Sequence, residues 1–337
     1  MKKDETVWTF LLCSVIALIC CFSKAAKAGA LEGIRLCEEV IIPSLLPLLI
    51  ICTLIVNSRC AIVIEKLFGR IFEKLFGLPR CTAAAVIFGL IGGYPTGTVL
   101  TYRLFDMGLI DSQTAERLMR FNFCGGFAFL ITAVGTVTYG STKTGLIIFF
   151  SNAASALIIM LFGSLGRKQN IQTSADFIYP KITEALPDSV ETSVKALLTM
   201  SAYIVLFSSV RGVLNVPSFL MPVIEITSGV CGKERLPLLY CSFFTAFGGL
   251  CIHLQLYGFL NKMKVKYSEF LIYRTAGALL SFIITKLCLF AFPQSAEVFS
   301  NISSPVHEFS SGGVALSMIM IMGCAVIVFD IENRKLI

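Results

Sequence analysis

Charged side chains make up only 15% of this 337-residue chain, and it holds two histidines, His253 and His307. No H-E-x-x-H and no G-x-S-x-G pattern occurs, so a catalytic cluster of those kinds is excluded and an enzyme is not expected. C-x-x-C pairs are also missing. Most of the thirteen cysteines, including Cys13, Cys20, Cys21, Cys52, Cys241, Cys288 and Cys324, sit inside apolar runs, where they read as small buried hydrophobes rather than a metal or disulfide framework. A concentrated basic patch is lacking too: the net charge is +7, but Lys and Arg are scattered between apolar stretches, which argues against a nucleic-acid partner. Finally, the chain has one polar linker, residues 166–188, too short for the large soluble loops that a membrane scaffold would use to recruit partners.

What is abundant is apolar: 56% of residues are hydrophobic and mean hydropathy is +0.82, so the chain reads as an all-α integral membrane protein whose first partner is the lipid bilayer. Residues 7–22 behind Lys2 and Lys3 resemble a signal peptide. Lys24 and Lys27 stand where a cleavage region is normally uncharged, so residues 1–30 are read as an N-terminal anchor. Further spans are expected at 40–58, 121–139, 146–165, 194–216, 236–260, 270–292 and 314–329. Residues 59–80 alternate apolar and charged positions at helical spacing and should lie along the membrane surface. Asp111 is placed to cap a helix over 112–120.

Two stretches interrupt the spans. The first holds Gly92, Gly93, Tyr94, Pro95, Thr96 and Gly97, followed by Asn122, Cys124, Gly125 and Gly126. The second holds Glu225, Ile226, Thr227, Ser228 and Gly229, followed by Thr245, Phe247, Gly248 and Gly249. At membrane depth such backbone survives only where protein buries it or it lines a cavity, and paired interruptions in two halves point to a transporter's binding site. The expectation is about eight transmembrane helices plus two re-entrant hairpins in an inverted-repeat transporter architecture: a first repeat over 31–165, a cytoplasmic linker over 166–188 and a second, inverted repeat over 189–337. With the N-terminus inside, the inside segments carry 19 Lys and Arg against 7 outside.

Candidate binding residues follow: Gly93, Tyr94, Pro95, Thr96 and Gly97 at the first break, Asn122 beside it, Glu225, Thr227, Ser228 and Gly229 at the second, then Thr245, Gly248, Gly249 and His253. Backbone amides at Gly92, Gly93, Gly97 and at Thr227 to Gly229 would suit a carboxylate, against the alternative of close packing by small residues. Glu225 would bind a coupling cation or proton; no other cofactor and no metal is expected. His253 reads as a helix-to-helix link or a site residue, and Arg274 and Lys286 as weaker candidates within a span. Homo-oligomerisation stays open.

The Gly-Tyr-Pro-Thr-Gly run at 93–97, the Glu-Ile-Thr-Ser-Gly run at 225–229 and the Phe-Gly-Gly run at 247–249 resemble those of the nucleoside-recognition, or Gate-domain, membrane proteins, nearest the stage V sporulation integral membrane protein family. The resemblance spans roughly residues 30–330. It implies an architecture like that of the concentrative nucleoside transporters and movement of a small polar or anionic solute, dipicolinic acid, across the outer forespore membrane; a nucleoside or other organic solute is the alternative. The sequence departs from the family's pattern at Phe123 and Cys124, where that region is usually more polar.

Overall fold

The computed structural model describes residues 3–164, 177–214, 218–231 and 235–291, and within them every regular element is helical. Among the described residues five helices are long and apolar enough to cross a membrane: Ser23–Asn57, Thr142–Gly163, Ile182–Leu214, Leu238–Lys262 and Tyr267–Ala291. Apolar helices at Leu12–Cys21, Thr82–Gly92 and Phe129–Thr138 are shorter than the roughly 20 residues that a bilayer requires. The chain is a multi-pass membrane protein. The expected span at 314–329, with His307, Pro217 and residues 166–176 of the linker, lies outside the described residues.

Several boundaries differ from the expectation. The apolar run near the N-terminus lies in α1 (Lys3–Cys21), and residues 23–39, between that run and the span expected from residue 40, are helical as well. They form α2 (Ser23–Leu36), which continues through a π-helical turn at Cys37–Ile41 into α3 (Ile42–Asn57). Pro43 lies in the first turn of α3, where a missing donor is tolerated, and Pro47 sits within it. Likewise the helix expected from 194 begins twelve residues earlier, at Ile182, and runs to Leu214.

Small residues explain why α2 is a helix at all. It packs along Ile182–Leu214, and a Cβ on Gly29 would sit 2.2 Å from the Ser208 carbonyl oxygen, one on Gly212 2.5 Å from that of Ala25. Such close approach replaces side-chain burial with backbone contact, the usual device between membrane helices. Arg211 pairs with Glu32 across the same interface.

After α4 (Cys60–Ile71) and a π-helical turn at Phe72–Phe76, the face carrying Leu67, Phe68, Ile71 and Leu75 is exposed while Ala61 and Phe72 are buried. A helix stands where the amphipathic pattern over 59–80 places one. Then come α5 (Thr82–Gly92) and α6 (Thr96–Asp106), folded back on each other, and α7 (Ser112–Met119), capped by the Asp111 carboxylate 2.8 Å from the Thr114 amide. Phe129–Thr138 is π-helical and leads into α8 (Thr142–Ser164). The expected span over 121–139 is therefore a correction: its first residues are unwound and its helical part has ten residues.

Ile182–Leu214 is α9; α10 (Met221–Ile224) and α11 (Ile226–Val230) flank Glu225, and α12 (Leu238–Phe247) and α13 (Leu250–Lys262) flank Gly248 and Gly249. The last described helix is α14 (Tyr267–Ala291).

Candidate functional site

In the first half, α5 ends where Gly93 turns the chain with φ +74°, a conformation open to glycine, and the Tyr94–Pro95 peptide is cis. The turn rests on the unwound residues 122–126. The Tyr94 N–H donates to the Cys124 carbonyl at 2.9 Å. A Cβ on Gly93 would lie 2.1 Å from the Gly126 nitrogen, and one on Gly97 2.2 Å from the Asn122 carbonyl oxygen. Asn122 acts as the staple. Its side-chain amide donates to the carbonyls of Ala85 and Gly97 and to the Thr101 hydroxyl, at 3.1–3.2 Å, tying the unwound chain to both arms of the hairpin.

The second half repeats the contact with different residues. Glu225, 1% exposed, accepts from the Thr227 amide at 2.9 Å and the Ser228 amide at 2.6 Å, one on each carboxylate oxygen. It is the cap of α11. The Gly248–Gly249 break, with Gly248 at φ +78°, presses on this turn: a Cβ on Gly249 would be 2.9 Å from the Pro222 carbonyl oxygen.

The two breaks meet. Tyr94 and Gly126 from the first and Thr227 from the second line one cavity, walled by Ile41, Leu45, Phe129 and Met200. The cavity has room for about one water molecule, so this is a closed arrangement.

The free amides expected at the breaks are not free. Gly93 N–H donates to the Gly89 carbonyl and Gly97 N–H to that of Gly93, while Gly229 N–H donates to the Glu225 carbonyl. Backbone withdrawn from water finds partners within the protein, and here the turns satisfy themselves. Glu225 likewise spends both oxygens on amides.

Pro95 and Thr96 lie at the hairpin tip. Thr245 sits in a separate polar layer, donating to the Cys241 carbonyl and accepting from Asn152. His253 links helices, its ring nitrogens 3.0 Å from the Tyr267 hydroxyl and 3.0 Å from the Phe247 carbonyl.

What the sequence reading underweighted is Arg274. It is 2% exposed in α14, its guanidinium donates to the carbonyls of Arg120 and Phe123, and it lies over the Phe123 ring at 4.7 Å and the Phe270 ring at 5.6 Å. Phe123 stacks in turn on Tyr94, ring centroids 5.1 Å apart. An arginine within an apolar span was the available signal.

The chain is similar to the sporulation integral membrane protein YlbJ of Bacillus subtilis (strain 168), with 23% identity over 317 residues, covering 79% of this chain and 77% of that protein. No family model matches the chain. No solved structure matches it.

Proposed function

We propose that this protein is a membrane transporter for a small anionic solute, dipicolinic acid during sporulation, built as an inverted repeat whose two broken helices enclose the binding site. The observation that carries the reading is the shared cavity, to which Tyr94 of one half and Thr227 of the other both contribute. Two segments 133 residues apart, each with a glycine break packed on an unwound turn, converge at one point. In a bilayer, that construction belongs to cavities and permeation paths.

The word sporulation in the name of the Bacillus subtilis relative supports the setting, and the residues at 93–97, 225–229 and 247–249 support the solute class. A membrane scaffold would need no such cavity. A nucleoside carrier is the second reading, since the walls of Phe129, Met200 and Tyr94 would equally accept a neutral aromatic solute.

The test is uptake. The full chain in proteoliposomes should accumulate labelled dipicolinate above protein-free vesicles, with uridine as the competing probe. Accumulation of uridine alone selects the nucleoside reading; accumulation of neither removes the transporter reading.

A further inference from the structure

Most charges drawn into the helical bundle have a partner. Arg103 pairs with Asp188, Arg120 with Glu116 and Glu269, Arg211 with Glu32, and Glu225 with two amides. Arg274 differs. Among the described residues no carboxylate lies within ion-pair distance of it, and its Nε–H has no hydrogen-bond partner. Two carbonyl dipoles and two aromatic faces solvate the cation without neutralising it, and a full charge inside an apolar bundle favours an anion when one can reach it.

A second polar atom nearby is also unsatisfied. The Tyr94 hydroxyl is buried and without a partner, and Tyr94 lines the central cavity. The Phe123 ring touches both groups: Tyr94 stacks on it and the Arg274 guanidinium lies against it.

We infer that Arg274 is the counter-charge for a carboxylate of the transported solute, reached from the cavity when the Phe123 ring moves out of the way. This rests on the transport reading and names the group within the site that selects an anion. A guanidinium with an unused Nε–H offers the planar two-point donor that a carboxylate fits, a phenolic hydroxyl nearby can donate to a second oxygen, and Phe123 and Phe270 can stack on an aromatic ring. The arrangement suits an aromatic anion and disfavours an amine. Phe123, whose ring contacts both Tyr94 and Arg274, acts as the gate ring.

Two measurements decide it. In proteoliposomes, dipicolinate uptake is compared with uptake of its uncharged diamide. Arg274→Gln should lower the preference for the dianion about tenfold, with Arg274→Lys intermediate because it keeps charge but not the fork. Equal loss for both probes would make Arg274 a helix staple only. Because these variants could fail to fold, the wild-type chain is also treated with phenylglyoxal and modification of Arg274 is mapped by mass spectrometry. Dipicolinate should protect that residue, and the diamide should not. An Arg274 that never reacts, or reacts equally with and without dipicolinate, overturns the inference. Protection without vesicle uptake would retain the anion site while removing the transport reading.

Discussion

At the residue scale, the glycines and Glu225 determine how the two breaks hold together. A side chain on Gly97 meets the Asn122 carbonyl oxygen at 2.2 Å, and a backbone atom cannot swing aside. Gly97→Leu should therefore lower the melting temperature of the detergent-purified protein, corresponding to at least about 1–3 kcal/mol for an overpacked site. Gly258→Ala is the control. No atom lies within 4 Å of the added carbon there, so an unchanged or slightly raised melting temperature is expected. If Gly97→Leu melts with the control, the close contact contributes nothing. Glu225→Gln tests the cap. Gln keeps one acceptor oxygen and turns an NH₂ toward the other amide, so one of two charge-assisted bonds is lost, about 1.5–3 kcal/mol. The same variant addresses coupling in vesicles: loss of dependence on an imposed proton gradient, with dipicolinate binding retained, would give the carboxylate a second role. An unchanged melting temperature would show that the cap is dispensable.

At the element scale, α7 is short and depends on its ends. Asp111→Ala removes the acceptor for the Thr114 amide and should destabilise the protein by about 0.5–2 kcal/mol at neutral pH. Partial burial pushes the Asp111 carboxyl up, but the hydrogen bonds from Thr114 outweigh it and the net shift is below the ordinary 3.8. A depressed carboxyl contributes its stability above the unfolded value and loses it as pH falls through the folded one. The gap in melting temperature between wild type and Asp111→Ala should thus be constant above pH 5 and close below about pH 4; a gap that persists at low pH would rule out the charge as its cause. This cap was legible in the sequence, as were the glycine breaks and the amphipathic α4, because each rests on local chemistry. The helical character of residues 23–36 was not. Its apolar content is low, and the glycines that make it pack, Gly29 and Gly33, find their partner Ser208 far along the chain. Nor could spacing show that the amides of the breaks are already bonded, since their acceptors at Gly89, Cys124 and Glu225 are fixed by the fold.

At the scale of the whole molecule, side-chain polar contacts tie together elements that lie far apart in the chain. Asn57 and Arg103 meet Asp188, the Arg59 guanidinium donates to the Tyr179 carbonyl, and the Tyr179 hydroxyl donates to Glu65 at 2.7 Å. Lys262 lies over the Tyr102 ring. Arg211 pairs with Glu32, and the Tyr139 hydroxyl donates to the Leu236 carbonyl at 2.6 Å. Asn57, Arg103 and Asp188 thus form a small polar lattice, with one ion pair in it, that links α3, α6 and α9 and ties the first hairpin's return arm to the long helix of the second half. Cysteine placed singly at Lys66 and at Ser141 in a background without reactive thiols should label with a membrane-impermeant maleimide from opposite faces of oriented vesicles, position 66 from the cytoplasmic side. Labelling of both from one face would break the inverted-repeat assignment. Breaking the lattice should act on the cycle rather than the fold: Asp188→Asn leaves Asn57 its hydrogen-bond partner but removes the ion pair with Arg103, an exposed-to-half-buried pair contributing on the order of 1 kcal/mol or less. If the cavity opens by separating these helices on that side, the variant should raise dipicolinate leak from loaded vesicles without lowering the melting temperature by more than a few degrees. An unaltered leak would place the moving boundary elsewhere, at the Phe123 ring and the tips themselves.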